Sequence, residues 1–427
     1  MSTEGGVPET TQQPASHEQA ADIVASNPFV GNRLGFDDYP AVTGAAIDGR
    51  IVRVLFADGE TREFHHQWLR HCCYCPECGN AADGIRFVTA ISFESTIVPA
   101  SVRASADDLV VTWPDEHVST YGADWLVHHA YGDADRARKS AWRPTLWKSE
   151  LSDDFPTVSA EEANDRDAGL LRLYHLLRDY GIVRVTGLGD SMEETERLAS
   201  FVGPINETTV FGRIYDVRAE RVAKLGAKTG MAQAPHIDDA FYYAPPGIDV
   251  FHCLVNTEVG GLSTYADGFA IAEDIRRTTP ETFELLTTLP ISQIRWHPGE
   301  VDVRARGPLI STDEFGRPSG IRYFDRALAP VDVEPDLVEP LYDAIREFNR
   351  RMIDQEFLTQ INVDPGDGVL MDNHRVLHGR TAFDPGQGRH VRLCQVTRDE
   401  FHARLRELSR RLDPAYHDIY LPSGSRT

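Results

Sequence analysis

Two histidine-bearing stretches, far apart in the chain, constrain its folding more than any other feature. The first is Pro235-His236-Ile237-Asp238-Asp239, followed by Ala240-Phe241-Tyr242-Tyr243-Ala244-Pro245-Pro246-Gly247. A His and a carboxylate two residues apart share one face of a β-strand, because strand side chains alternate faces. Alone, such a pair is a weak signal and reads more readily as a hydrogen-bonded surface couple. With one more imidazole it forms a facial triad that leaves three coordination positions open, a ligand set suited to non-haem Fe(II). The second stretch offers that imidazole. In it Pro365-Gly366-Asp367-Gly368 forms a turn into a short apolar strand, and His378-Gly379-Arg380 follows. A fold that uses both stretches has to bring together residues 140 positions apart. Arg389, one strand onward, carries a planar cationic fork that can hold a carboxylate bidentately.

Charge narrows the partners. Lysine and arginine number 43 against 66 acidic residues, a formal charge of −23, which opposes binding to nucleic acid or an anionic membrane. The 427 residues suffice for two domains with large cores. No apolar run approaches the roughly 20 residues that span a bilayer. Residues 1–28 are polar and lack a cationic start or apolar core, so they read as a disordered tail rather than a signal peptide, and a cytoplasmic location is expected.

Of six cysteines, four fall within seven residues: Cys72, Cys73, Cys75 and Cys78. In a cytosolic chain such clustering points to metal rather than disulfides. Cys73, Cys75 and Cys78 have Cys-x-Cys-x-x-Cys spacing, a thiolate knuckle for one side of a tetrahedral Zn²⁺. His117, in Trp113-Pro114-Asp115-Glu116-His117-Val118-Ser119-Thr120-Tyr121, is the expected fourth ligand, with His71 and Cys72 as rivals. Four protein ligands close a site, so this one would be structural. Strand-like alternation at residues 49–56 and 109–113 frames the cluster. Residues 29–135 therefore read as a small β-rich zinc-binding domain, and residues 136–160 as a linker. Cys253 and Cys394 read as small core residues.

Beyond the linker, leucines 170, 173, 176 and 177 recur at helical spacing, predicting a helix over 163–180 that Gly181 stops. Residues 182–188 read as a buried strand. Ser191-Met192-Glu193-Glu194 resembles a capping box opening a helix through Phe201. Residues 248–256 read as a strand, 269–289 as mostly helical, and Leu341, Ile345, Phe348 and Met352 as the apolar face of another helix.

The order His-x-Asp, Gly-Gly, Pro-Gly-Asp, Asn-x-Arg-x-x-His-Gly-Arg and a further Arg resembles the Fe(II)/2-oxoglutarate dioxygenases of the taurine dioxygenase superfamily. Within it, the Tyr-Tyr-x-x-Pro-Pro-Gly run and Leu-His-Gly-Arg are similar to the γ-butyrobetaine and trimethyllysine dioxygenases. The cysteine-rich module, with its Trp-x-Asp-x-His-x-Ser-x-Tyr context, resembles the zinc module in front of γ-butyrobetaine dioxygenase. The likeness covers almost all of the chain after about residue 30.

The resemblance implies a mainly β fold with flanking helices: a double-stranded β-helix, or jelly-roll, catalytic domain over 161–427 behind the small zinc-binding domain. It implies Fe(II) on His236, Asp238 and His378. The far carboxylate of 2-oxoglutarate would rest on Arg389 and Ser263, with Thr264 the alternative. An aliphatic C–H would be hydroxylated by O₂ with release of succinate and CO₂, ascorbate serving as reductant in assays, and the chain would form a homodimer. A carboxylate at position 238 opposes halogenation. The positions of the family's trimethylammonium cage fall on Phe211, Tyr215, Lys228 and Gln395. A lysine ammonium repels a quaternary ammonium in a desolvated pocket, so an anionic or zwitterionic small metabolite is the expected substrate. Three alternatives stand beside it: desaturation, cyclisation or C–X cleavage at the same iron, a quaternary ammonium hydroxylase, and an iron-binding regulatory protein without activity.

Overall fold

The computed structural model describes residues 29–219, 229–257, 259–413 and 416. The chain divides into two compact units, one running to Trp142 and the other from Arg143 to Leu412. Among the described residues no helix is long and apolar enough to cross a membrane.

The first unit holds two antiparallel three-stranded meanders. One comprises Val42–Asp48, Ile51–Phe56 and Thr61–His65, the other Ser101–Ala104, Asp108–Thr112 and Val118–Gly122. Alternation sets their inner faces, with Val52, Val54, Phe56, Leu109 and Val111 all buried. Two large polar aromatics complete this core with their polar atoms satisfied. Trp113 Nε1 donates to Ser119 Oγ at 2.9 Å, and the Tyr121 hydroxyl donates to the Leu69 carbonyl. The short helix His66–Cys72 then delivers the chain from the first meander to the cysteine cluster.

The second unit is built on two sheets. The larger runs, in spatial order, Tyr215–Arg218, His390–Val396, Ile248–Val255, Gly368–Asp372, Ile182–Thr186 and Thr157–Ser159. The smaller runs Gln233–His236, Val376–Arg380, Ser263–Asp267 and Thr359–Ile361. Val369, Leu370 and Met371 are wholly buried, which explains why that strand reads as a continuous apolar run. The outer face of the larger sheet packs on the helices Ala168–Tyr180, Glu194–Val202 and Arg398–Leu412. The smaller sheet is backed by Gly268–Thr278, Pro280–Thr288 and Val338–Ile353, the last burying Leu341, Ile345, Phe348 and Met352 as its apolar spacing predicts. A cavity opens between the two sheets.

Several expected boundaries shift for local reasons. Thr157–Ser159 falls in the stretch read as linker, yet it pairs in parallel with Ile182–Thr186 as an edge strand. The helix expected from 163 begins at Ala168 because the Asp165 carboxylate takes the Asp167 and Gly169 N–H groups at 2.9 and 3.1 Å. Arg166, at φ 58°, turns the chain there. The capping-box reading at Ser191 fails: that helix starts at Glu194 without a side-chain cap. The helical stretch 269–289 breaks at Thr279, before Pro280.

Candidate functional site

Antiparallel pairing of Gln233–His236 with Val376–Arg380 sets His236 directly opposite His378, imidazole centroids 4.6 Å apart. The next strand, Ser263–Asp267, sets Tyr265 opposite His378 and Ser263 opposite Arg380. Gly379 makes this closeness possible. A Cβ there would meet the Gln233 carbonyl at 2.4 Å and Thr264 Oγ1 at 2.9 Å.

Asp238 joins the histidines by a route that strand alternation does not describe. The strand ends at His236, and the chain turns, with Asp239 at φ 57°. Asp238 Oδ1 then lies 3.5 Å from His236 Nε2 and 3.7 Å from His378 Nε2. The three donor atoms fall within 4.8 Å of one another, close enough for one ion to touch all three. Two buried side chains impose the turn. Asn373 accepts from the Asp238 N–H at 2.8 Å and donates to the carbonyls of Asp238 and Pro246 at 2.9 and 3.1 Å. From the other side Arg322 donates to the carbonyls of Ala240, Tyr242 and Tyr243 at 2.7, 2.6 and 2.9 Å. Asn373→Ala would leave these buried backbone groups unpaired, each costing about 1–3 kcal/mol. We expect it to weaken metal retention by about 10–100-fold, as loss of an orienting partner does, measurable by metal titration of the purified variant.

The protonation states suit a divalent cation. Burial pushes the His378 imidazole down to about 4, so it is neutral near pH 7. Burial pushes the Asp238 carboxyl up, but the neighbouring His378 and His236 outweigh it and hold the group below its usual range. The Ala234 carbonyl lies 3.1 Å from His236 Nδ1 and can accept its N–H, turning Nε2 toward the site, where the Gln233 amide lies 3.1 Å away. A neutral His378 imidazole beside an ionised carboxylate is what metal binding requires.

The cavity has a volume of about 220 Å³. Ser263, Tyr265, Arg380 and Arg389 line one part of it. Alternation turns Thr264 to the opposite face, where its hydroxyl is buried, so only Ser263 of the two reaches the cavity. Gly260 and Gly261, at φ 76° and 69°, form the turn before this strand, and a Cβ on Gly261 would press on Thr257 Oγ1 at 2.7 Å. The Phe383 ring lies under both guanidiniums, 5.0 Å from Arg380 and 5.8 Å from Arg389. Burial, with Arg389 and Arg326 nearby, pushes the Arg380 guanidinium down to about 10, which still leaves it charged near neutral pH.

Phe211 and Tyr215 also line the cavity, their rings 4.9 Å apart, and Phe324 stacks on His236 at 4.4 Å. Gln395 does not line it; its amide donates to Asp249 Oδ1 at 3.2 Å behind the wall. Lys228 lies outside the described residues. Asp239, next to the triad, is buried, and that burial together with Asp238 pushes its carboxyl up to about 8. His374 and His390 are engaged elsewhere, with the Pro245 carbonyl at 2.8 Å and Asp216 at 2.6 Å.

In the first unit His117 Nε2 lies 3.5, 3.7 and 3.4 Å from the sulfurs of Cys73, Cys75 and Cys78. A tetrahedral zinc with ordinary bond lengths sets N and S about 3.6 Å apart. Glu77 holds the other ring nitrogen at 3.1 Å. Burial pushes the Cys78 thiol up to about 12 and raises that of Cys73. Without a cation in their midst these thiols stay protonated. Cys72 and His71 are not part of this group of donors.

Residues 142–395 match the family of taurine catabolism dioxygenases TauD, TfdA. The chain belongs to this family. Residues 45–127 match the gamma-butyrobetaine hydroxylase-like, N-terminal family. Among similar proteins, the gamma-butyrobetaine dioxygenase of Pseudomonas sp. (strain AK-1) is 34% identical, covering 84% of this chain and 94% of its own. The mitochondrial trimethyllysine dioxygenase of Gallus gallus is 31% identical, covering 83% and 85%. The human gamma-butyrobetaine dioxygenase is 28% identical, covering 86% and 97%. The protein is thus a dioxygenase, an oxidoreductase that uses iron and 2-oxoglutarate and acts on a small molecule with O₂.

Sequence reasoning missed several residues of this dioxygenase's site. Asn373 stood inside a recognised motif with no role assigned, although a polar amide between an apolar strand and a histidine is a signal of backbone support. Arg322, Arg295 and Arg326 lie outside every motif, and nothing local marks them.

Proposed function

We propose that the dioxygenase hydroxylates an aliphatic C–H of a small anionic or zwitterionic metabolite, with His236, Asp238 and His378 as its iron ligands. Bound iron would supply O₂ activation coupled to the oxidative decarboxylation of 2-oxoglutarate. One oxygen atom would go to succinate as CO₂ leaves, and the other would become the product hydroxyl. The cross-strand pairing of His236 with His378, with Asp238 turned between them at the cavity wall, is the observation that carries this reading. The chain's own part is positioning. Asn373 and Arg322 fix the Asp238 turn, and the Ala234 carbonyl fixes the His236 tautomer. Arg389 and Ser263 would hold the far carboxylate of 2-oxoglutarate, beside the apolar ring of Phe383. The two sheets are read as a double-stranded β-helix. The Cys73, Cys75, Cys78 and His117 group is read as a structural zinc site, supported by its near-tetrahedral donor spacing.

Arg389→Ala tests the 2-oxoglutarate assignment. A hydrogen bond to a charged group contributes about 1.5–3 kcal/mol, so the KM for 2-oxoglutarate should rise about 10–150-fold, with little change in iron content. An unchanged KM would contradict it.

A further inference from the structure

We propose that Arg295 anchors the negatively charged head group of the substrate and makes the dioxygenase selective for a small molecule of net negative charge. The inference rests on the assignment of 2-oxoglutarate to the Arg389 end of the cavity, and it starts from a count of charge. Arg295, Arg326, Arg380 and Arg389 all line the cavity, and among the described residues Asp238 is its only lining carboxylate. With a divalent metal and doubly charged 2-oxoglutarate in place, the described lining side chains alone carry a surplus of three positive charges. The chain as a whole carries −23, so this surplus is local and does not follow from composition.

The four guanidiniums are not equivalent. Arg380 donates to the Thr229 carbonyl and sits beside Arg326, while Arg389 is half-buried near Tyr265 and Cys253. Arg326 is exposed. Arg295, on the strand Pro290–His297, is half-buried; its side chain makes no hydrogen bond or salt bridge with a described residue, and its Nε, like those of Arg380 and Arg389, is shut away from solvent. A buried donor left unpaired is costly unless a ligand completes it. The carboxylates of Asp239 and Asp249 are the acidic groups behind the wall on this side. Asp239 lies near enough to Arg295 to interact with it electrostatically, but no hydrogen bond or salt bridge joins the two, and both its oxygens are sealed from solvent behind the wall.

Phe211, Phe241, Ile294 and Phe324 give the same cavity an apolar wall. A short aliphatic stem would lie along that wall near the triad, while its carboxylate, phosphonate or sulfonate meets the planar fork of Arg295. A quaternary ammonium would face the surplus positive charge with no counter-ion.

The test is calorimetric titration of anaerobic protein loaded with Fe(II) and saturating 2-oxoglutarate. The probes are four matched compounds: pentanoate, butylphosphonate, pentanamide and butyltrimethylammonium. We expect both anions to bind at least about tenfold more tightly than the amide, and the ammonium not to bind. Arg295→Gln should remove about tenfold of the anion affinity, Arg295→Lys should restore part of it, and the 2-oxoglutarate affinity of both variants should stay within about twofold of the parent. Preference for the ammonium or the amide, failure of both anions to bind, or unchanged anion affinity in Arg295→Gln would overturn the proposal. Failure of the underlying iron and 2-oxoglutarate assignment would show earlier and separately, as no visible absorption change when 2-oxoglutarate is added before any probe.

Discussion

His117→Ala is expected to lower the unfolding temperature of the N-terminal unit by about 12–24 °C and to abolish its zinc. The four donors connect separate stretches of the unit. Cys73 follows the helix His66–Cys72, Cys75 and Cys78 sit on the next turn, and His117 precedes the strand Val118–Gly122. A metal here joins three segments at one point. Structural zinc contributes about 10–16 kcal/mol of apparent binding energy in small zinc-finger peptides. The unit has its own apolar core around Trp113, Tyr121 and Leu126, so loss of one ligand should cost only part of that. A loss of at least about 3 kcal/mol corresponds to the stated shift for a unit of this size. Scanning calorimetry with elemental analysis checks it: about one zinc per parent chain, none in the variant, and a separate early transition. An unshifted transition in zinc-free protein would refute the structural zinc.

The second large effect concerns the triad. His378→Ala and Asp238→Ala should each reduce iron affinity by at least about a hundredfold, since losing even an orienting neighbour of a ligand costs 10–100-fold. Succinate formation should fall to background in both. His390→Ala, whose imidazole is held by Asp216, should keep its iron. That contrast separates loss of a ligand from general damage, because His390, like His378, lies in the second unit and is largely buried. Metal content after gel filtration, read beside succinate release, is the measurement. Full iron retention in His378→Ala would place the metal elsewhere.

What the sequence disclosed follows a physical pattern. Residues carrying charge or metal-binding chemistry at fixed spacing were legible: the Cys73, Cys75, Cys78 and His117 donors and the three triad side chains meet as their spacing and motifs suggested. Strand alternation also separated Ser263 from Thr264 once the register of Ser263–Asp267 against Val376–Arg380 was known. The route by which Asp238 arrives was not legible. A two-residue spacing fits both an alternating strand and a strand that ends in a turn, and the choice is made by Asn373, 135 residues away. The helix start at Ala168 was misread because periodicity of leucines does not register an Asp165 side chain competing for backbone donors. Arg295 was invisible for a related reason. It belongs to the hairpin of Pro290–His297 with Val301–Pro308, and only tertiary packing brings that hairpin to the cavity.

On the reading proposed above, His236, Asp238 and His378 together hold iron in a form that 2-oxoglutarate can chelate. Adding Fe(II) and 2-oxoglutarate to anaerobic protein and recording the visible spectrum tests it most directly. We expect a weak charge-transfer band that saturates with one equivalent of each per chain and is missing in His378→Ala. A well-folded, iron-loaded protein that shows no band, or a band of equal strength in the variant, would contradict it.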